Sequence, residues 1–249
     1  MKTLLSISMI LMACLSLAMP ARAEDSGTVL ITGANRGLGL EFVKQLKAKG
    51  YTIIATARQP AKATALNATG ARVEQLDVTS QASVDALAGA LKGVPIDILI
   101  NNAGMVNRAD SSLDTLDFAA MERSFQVNSL GPLRVTQALL PNLLAGKDKT
   151  IINITSRLGS IELSTGGLYS YRTSKAALNQ INKIISVELA PQGFTSIVMH
   201  PGWVKTDMGG PDATLEVEES INGMVAVIES LSSADSGKFF NYDGQELPW

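Results

Sequence analysis

Residues 24–249 are expected to form one α/β domain, a doubly wound parallel sheet of about seven strands with helices on both faces. Three observations predict it. Short β-branched or aliphatic runs alternate with longer segments of helical periodicity along the whole stretch. The run at 96–100 is apolar at almost every position, as in a strand covered on both faces. No linker, repeat or low-complexity stretch divides the segment.

The elements follow in order. Residues 28–32 read as the first strand. Residues 38–49 form a helix, because Leu38, Phe42, Val43 and Leu46 recur on one face, and Gly50 ends it. Strands are expected at 51–56 and 72–76, a helix at 81–91 and the buried strand at 96–100. Residues 118–144 carry helical patterning, with a kink expected near Pro132. A strand at 150–155, a long helix at 171–189, a strand at 195–200, a helix at 216–231 and a short strand at 238–242 complete the chain. Such alternation places crossover helices on both faces of one sheet.

The first 23 residues differ from the rest. Lys2 precedes an uncharged, mostly apolar run to Met19, then Pro20 and the small-residue pattern Ala21-Arg22-Ala23. This reads as a secretory leader cleaved after Ala23, giving a periplasmic or secreted protein without a stable membrane span. A retained leader would instead anchor the chain in a membrane, and an unused one would leave it cytoplasmic. A lipoprotein site at Leu11-Met12-Ala13-Cys14 is disfavoured by the apolar residues that follow Cys14. Cys14 is the only cysteine and His200 the only histidine, so neither an internal disulfide nor a zinc site of four such ligands can form. The formal charge of −2 gives no electrostatic case for nucleic acid as a partner.

Between the first strand and the first helix lies Thr32-Gly33-Ala34-Asn35-Arg36-Gly37-Leu38-Gly39. Glycines there permit a tight turn and close backbone approach, so that a pyrophosphate can sit on the helix N-terminus. Candidate contacts are Gly33, Asn35, Arg36, Gly37, Leu38 and Gly39. The second strand ends in Ala55-Thr56-Ala57-Arg58, without the carboxylate that NAD sites use for the ribose. Arg58 and Arg36 are placed to meet a 2′-phosphate, which favours NADP(H) over NAD(H). In Tyr171-Arg172-Thr173-Ser174-Lys175, residues four apart share a helix face, so Tyr171 and Lys175 point into one cleft. A neighbouring ammonium is expected to lower the phenol's pKa and make it an acid–base group.

The glycine spacing, Asn101-Asn102-Ala103-Gly104 and Tyr171-x-x-x-Lys175 together resemble the short-chain dehydrogenase/reductase family, whose fold is of the Rossmann type. The string at 171–179, the stretch His200 to Gly210 and Asn241-Tyr242-Asp243-Gly244 look like its sniffer/C-factor-like branch of carbonyl reductases, over nearly the whole mature chain. The resemblance implies NADPH-dependent reduction of an aldehyde, ketone or quinone, with Asn128, Ser156, Tyr171 and Lys175 as catalytic residues. In the family the asparagine anchors a water in a proton relay and the serine hydroxyl meets the substrate oxygen. The resemblance also implies cofactor contacts from Asp77 and Val78, from Asn101, Ala103 and Gly104, from Tyr171 and Lys175, and from Pro201, Gly202, Val204 and Thr206. The usual spacing from the serine would select Tyr169, but Tyr169 has Thr173 four residues on, where Tyr171 has Lys175. A homodimer or homotetramer is a further expectation, the dimer pairing through the helices at 118–144 and 171–189. Two functions stand at this point: a reductase of a small-molecule carbonyl substrate, and an exported nucleotide-binding signalling or sensor protein with little turnover.

Overall fold

The computed structural model describes residues 26–249; the leader expected at 1–23 lies outside the described residues. Seven strands form one wholly parallel sheet: β1 (Thr28–Ile31), β2 (Thr52–Ala57), β3 (Arg72–Gln75), β4 (Ile98–Asn101), β5 (Thr150–Ile154), β6 (Thr195–His200) and β7 (Phe239–Asn241). Their order across the sheet is β3-β2-β1-β4-β5-β6-β7. The chain therefore winds outward from β1 in one direction, returns to β4, and winds outward in the other. The crevice between β1 and β4 at the strand C-termini is the place where such sheets bind ligands.

Alternation along each strand explains the apolar runs. Val29 and Ile31 of β1, with Ile98 and Ile100 of β4, face one core, which packs on α1 (Gly37–Ala48) and α8 (Val217–Ser230). Leu30, Leu99 and Ile151 face the opposite core. There they meet α3 (Gln81–Ala90), α5 (Gly131–Ala138) and the long α7 (Tyr169–Glu188). Both sheet faces are thus dry, and polar side chains inside them must bond to one another. Asn101 does so through Asn153 at 2.9 Å and Thr136 at 3.2 Å.

A short helix, α2 (Thr64–Asn67), lies in the loop after β2, where no element was expected. The segment expected as one kinked helix at 118–144 is three: α4 (Phe118–Phe125), α5 and α6 (Leu140–Ala145), with a wide π-turn at Gln126–Leu130. Proline explains both breaks. Pro132 lacks the N–H that would bond to Asn128, and its ring crowds that carbonyl, so the turn widens around Asn128. Pro141 acts likewise on Gln137, and the helix restarts at Leu140. α7 begins two residues earlier than expected, which puts Tyr169 and Tyr171 on the same first turn. Among the described residues no helix is long and apolar enough to cross a membrane.

Candidate active site

A cleft of about 560 Å³ opens along the C-terminal ends of β1, β4, β5 and β6. Its floor is the turn from β1 into α1. Gly33 has φ +65°, and a Cβ there would lie 2.9 Å from the Ala103 Cα. A Cβ on Gly39 would lie 2.5 Å from the Gly33 carbonyl and 2.6 Å from Asn102 Nδ2. The backbone at both positions is packed too closely for a side chain. No side chain caps α1, so its first-turn N–H groups face the cleft without a side-chain acceptor, the arrangement that binds a phosphate.

The loop after β4 is tied to this turn. Asn102 Nδ2 donates to the carbonyls of Thr32 (2.9 Å) and Gly33 (3.1 Å). Thr32 Oγ1 in turn accepts the backbone N–H groups of Asn102 and Ala103, each at 3.0 Å. At the outer end Arg58 is exposed beside Asp77, whose carboxyl is held below its ordinary range by Thr79, chiefly through the threonine side chain. Arg36 forms an exposed ion pair with Asp207 at 2.8 Å, linking the glycine turn to the loop after β6 across the cleft mouth.

At the inner end Tyr171 and Lys175 project from α7 into the same cleft. The Lys175 side chain is buried, its Nζ 5.9 Å from the Tyr171 ring centre and donating to the Ile154 carbonyl at 2.7 Å. Ser156, just past β5, accepts from the Leu158 N–H at 3.1 Å, and its side chain lies beside the Tyr171 phenol, whose pKa it lowers. Gly159 allows this turn to press onto α7, since a Cβ there would be 2.9 Å from the Lys175 backbone. Asn128, fully buried in the π-turn, exchanges hydrogen bonds with the Met105 backbone (2.8 and 2.9 Å) and donates to Ser174 Oγ at 3.0 Å.

Residues 27–216 match the family model for short chain dehydrogenase. The chain belongs to that family. Among its relatives is the C-signal of Myxococcus xanthus, 51% identical over 156 residues, which cover 62% of this chain and 93% of that protein. A second, 1-hydroxy-2-glutathionyl-2-methyl-3-butene dehydrogenase of Rhodococcus sp., is 36% identical over 230 residues, covering 89% of this chain and 99% of the relative. The NADPH-bound carbonyl reductase from chicken fatty liver superposes with a TM-score of 0.84 at 36% identity, over 90% of this chain and 100% of that one. Carbonyl reductase Sniffer of D. melanogaster does so with the same score and identity, over 90% and 99%.

In this short-chain dehydrogenase most of the expected site residues come together. All six of the glycine turn line the cleft, with Arg58, Asp77, Val78, Ala103, Gly104, Tyr171, Lys175, Pro201 and Thr206. Three expected cofactor contacts do not. Asn101 is turned into the sheet core by strand alternation, and its neighbour Asn102 lines the cleft in its place. Gly202 shapes the loop behind: φ is +80°, and a Cβ would fall 2.3 Å from Leu215 Cδ1. Val204 is buried in a backbone bridge to Leu215. Asn128 and Ser156 stand behind the cleft wall, Asn128 acting on it through its hydrogen bonds and Ser156 through its place beside the Tyr171 phenol. Met105, Thr155, Asp207 and Met208 also line the cleft and were missed. Met105 and Met208 adjoin motif residues, and only that adjacency could have pointed to them.

The electrostatics differ from the sequence expectation. Burial raises the Tyr171 phenol above its ordinary 10.0, opposed by the neighbouring Ser156 hydroxyl and the charge of Arg108. Lys175 was expected to lower it, but burial takes the amine itself down to about 7, so its charge is weakened at neutral pH. His200 is drawn down to about 4 by burial and then by Arg157, and remains neutral.

Proposed function

We propose that this chain is an NADPH-dependent carbonyl reductase with Tyr171 as the proton donor. The observation that carries the reading is Tyr171 and Lys175, one helical turn apart and both projecting into the cleft that runs to the glycine turn, with Ser156 beside the phenol. The cofactor fit rests on the chain's own features: the Gly33 and Gly39 backbone too close-packed for side chains, the uncapped start of α1, and an exposed arginine, Arg58, where a 2′-phosphate would lie. The NADPH named for the chicken liver enzyme supports the same preference.

A reduced nicotinamide, when bound, supplies a hydride to the carbonyl carbon. The chain's task is the proton. A phenol raised by burial stays protonated at neutral pH, which is the state an acid needs for reduction. As electron density builds on the substrate oxygen, Tyr171 passes its proton there. Ser156, beside the phenol, favours the phenolate as it forms. The phenolate left behind increases the proton affinity of the Lys175 amine, which takes up a proton from solvent and stabilises the phenolate as an ammonium. Asn128 fixes the Met105 backbone and the Ser174 hydroxyl, and Ser174 bonds to the Tyr171 carbonyl at 2.8 Å, so the phenol is held from behind.

The test is NADPH oxidation with a panel of aldehydes, ketones and quinones. Turnover with at least one, faster than with NADH, is expected. The 51% identity to C-signal favours one second reading, a nucleotide-binding signalling protein with little turnover. Tight NADPH binding without turnover on any member of the panel would select it.

A further inference from the structure

The segment leading into α7 is conformationally costly. Gly166, Gly167 and Leu168 have φ of +83°, +70° and +49° in succession. Glycine tolerates this region, but a leucine there is disfavoured by its Cβ. Leu168 is also the residue before the first helical turn, and no side chain of the preceding segment caps that turn. A reversal of this kind persists only when its surroundings hold it, and Tyr171 stands three residues beyond Leu168.

The structure assigns the holding role to Asp110, from the loop after β4. Its side chain is almost wholly buried. Asp110 Oδ2 accepts the Ser170 N–H at 2.7 Å and also the Ser170 hydroxyl, while its carbonyl accepts the Tyr169 N–H at 3.2 Å. A carboxylate at this end also complements the helix dipole. At Gly167 the Ser111 carbonyl comes within 3.4 Å of where a Cβ would stand, so the loop presses directly on the reversal. Met105 of the same loop is gripped by Asn128, and Asn128 bonds to Ser174. Residues 105–111 therefore brace α7 on both sides of Tyr171: at Ser170 directly, and at Ser174 through Asn128. We propose that Asp110 is a positioning residue, setting the angle at which the Tyr171 phenol meets the substrate oxygen. The inference rests on the proton-donor reading given above.

The test compares Asp110→Ala, Asp110→Asn, Ser170→Ala and Tyr171→Phe in the full chain. The measurements are kcat, its pH profile and the dissociation constant for NADPH. Misplacing a reacting group by about 1 Å can cost ~100-fold. Asp110→Ala should therefore lower kcat roughly tenfold or more and move the pH profile, with NADPH affinity within about twofold of wild type. Asp110→Asn keeps an oxygen for the Ser170 N–H and should recover most of the rate. If Asp110→Ala does not fold, Ser170→Ala, which removes only the hydroxyl bond, should still lower kcat by a smaller factor and move the profile. Wild-type kcat and pH profile in Asp110→Ala or in Ser170→Ala overturn the proposal, as does equal loss of rate and NADPH affinity in both Asp110 variants. If Tyr171→Phe turns over normally, the proton-donor reading fails first and this inference with it. If Tyr171→Phe is inactive and Asp110→Ala is unchanged, the positioning role alone fails.

Discussion

Replacing Lys175 with methionine should make the nucleotide-free protein's stability respond to pH in a way that isolates this one amine. Methionine is similar in length and apolar, so the buried space stays filled while the titratable group is removed. In the folded chain Lys175 titrates at about 7; a lysine in the unfolded chain keeps 10.5. Below about pH 7 both states carry the proton, and the folded protein bears the cost of a desolvated ammonium. Between about 7 and 10.5 the unfolded chain holds the proton and the folded one does not, so the wild type gains stability relative to Lys175→Met as pH rises. The slope approaches about 1.4 kcal/mol per pH unit, giving roughly 2–3 kcal/mol between pH 7 and 9. Other groups titrate in both proteins and cancel in the difference. Urea unfolding of both proteins at pH 6, 7, 8 and 9 measures it. A difference that stays flat from pH 6 to 9 would refute the desolvation argument, and a difference that falls would reverse its sign.

Arg58→Asp should weaken NADPH by tenfold or more while changing NADH little, since a charged hydrogen bond contributes about 1.5–3 kcal/mol; titration with both nucleotides checks it, and equal losses would remove Arg58 from the 2′-phosphate. Gly39→Ala forces a Cβ against the Gly33 carbonyl and Asn102. It should cost about 1–3 kcal/mol of stability and abolish measurable nucleotide binding, as followed by thermal unfolding with and without NADPH.

Most of the fold was legible because both sheet faces are buried: strands that must be apolar throughout, such as 96–100, separate cleanly from amphipathic helices. The glycine turn was legible for a related reason, since close backbone approach restricts residue type. What could not be read depends on partners distant in sequence. Which asparagine of 101–102 faces the cleft is a matter of strand phase at its last residue. Pro132 announced a break, but not that the turn would widen to seat Asn128 behind Met105. Tyr171 could be separated from Tyr169 by its lysine. Its acidity could not be derived that way, because it depends on burial and on the nearby Ser156, fifteen positions away. The hold of Asp110 on Ser170 spans sixty positions and carries no local signature.

The most direct test of the proton-donor claim is Tyr171→Phe, which removes one oxygen atom and leaves the ring. In that variant kcat should fall on the order of 10²- to 10⁴-fold, with the NADPH dissociation constant unchanged within about twofold. A kcat within a few-fold of wild type would contradict it.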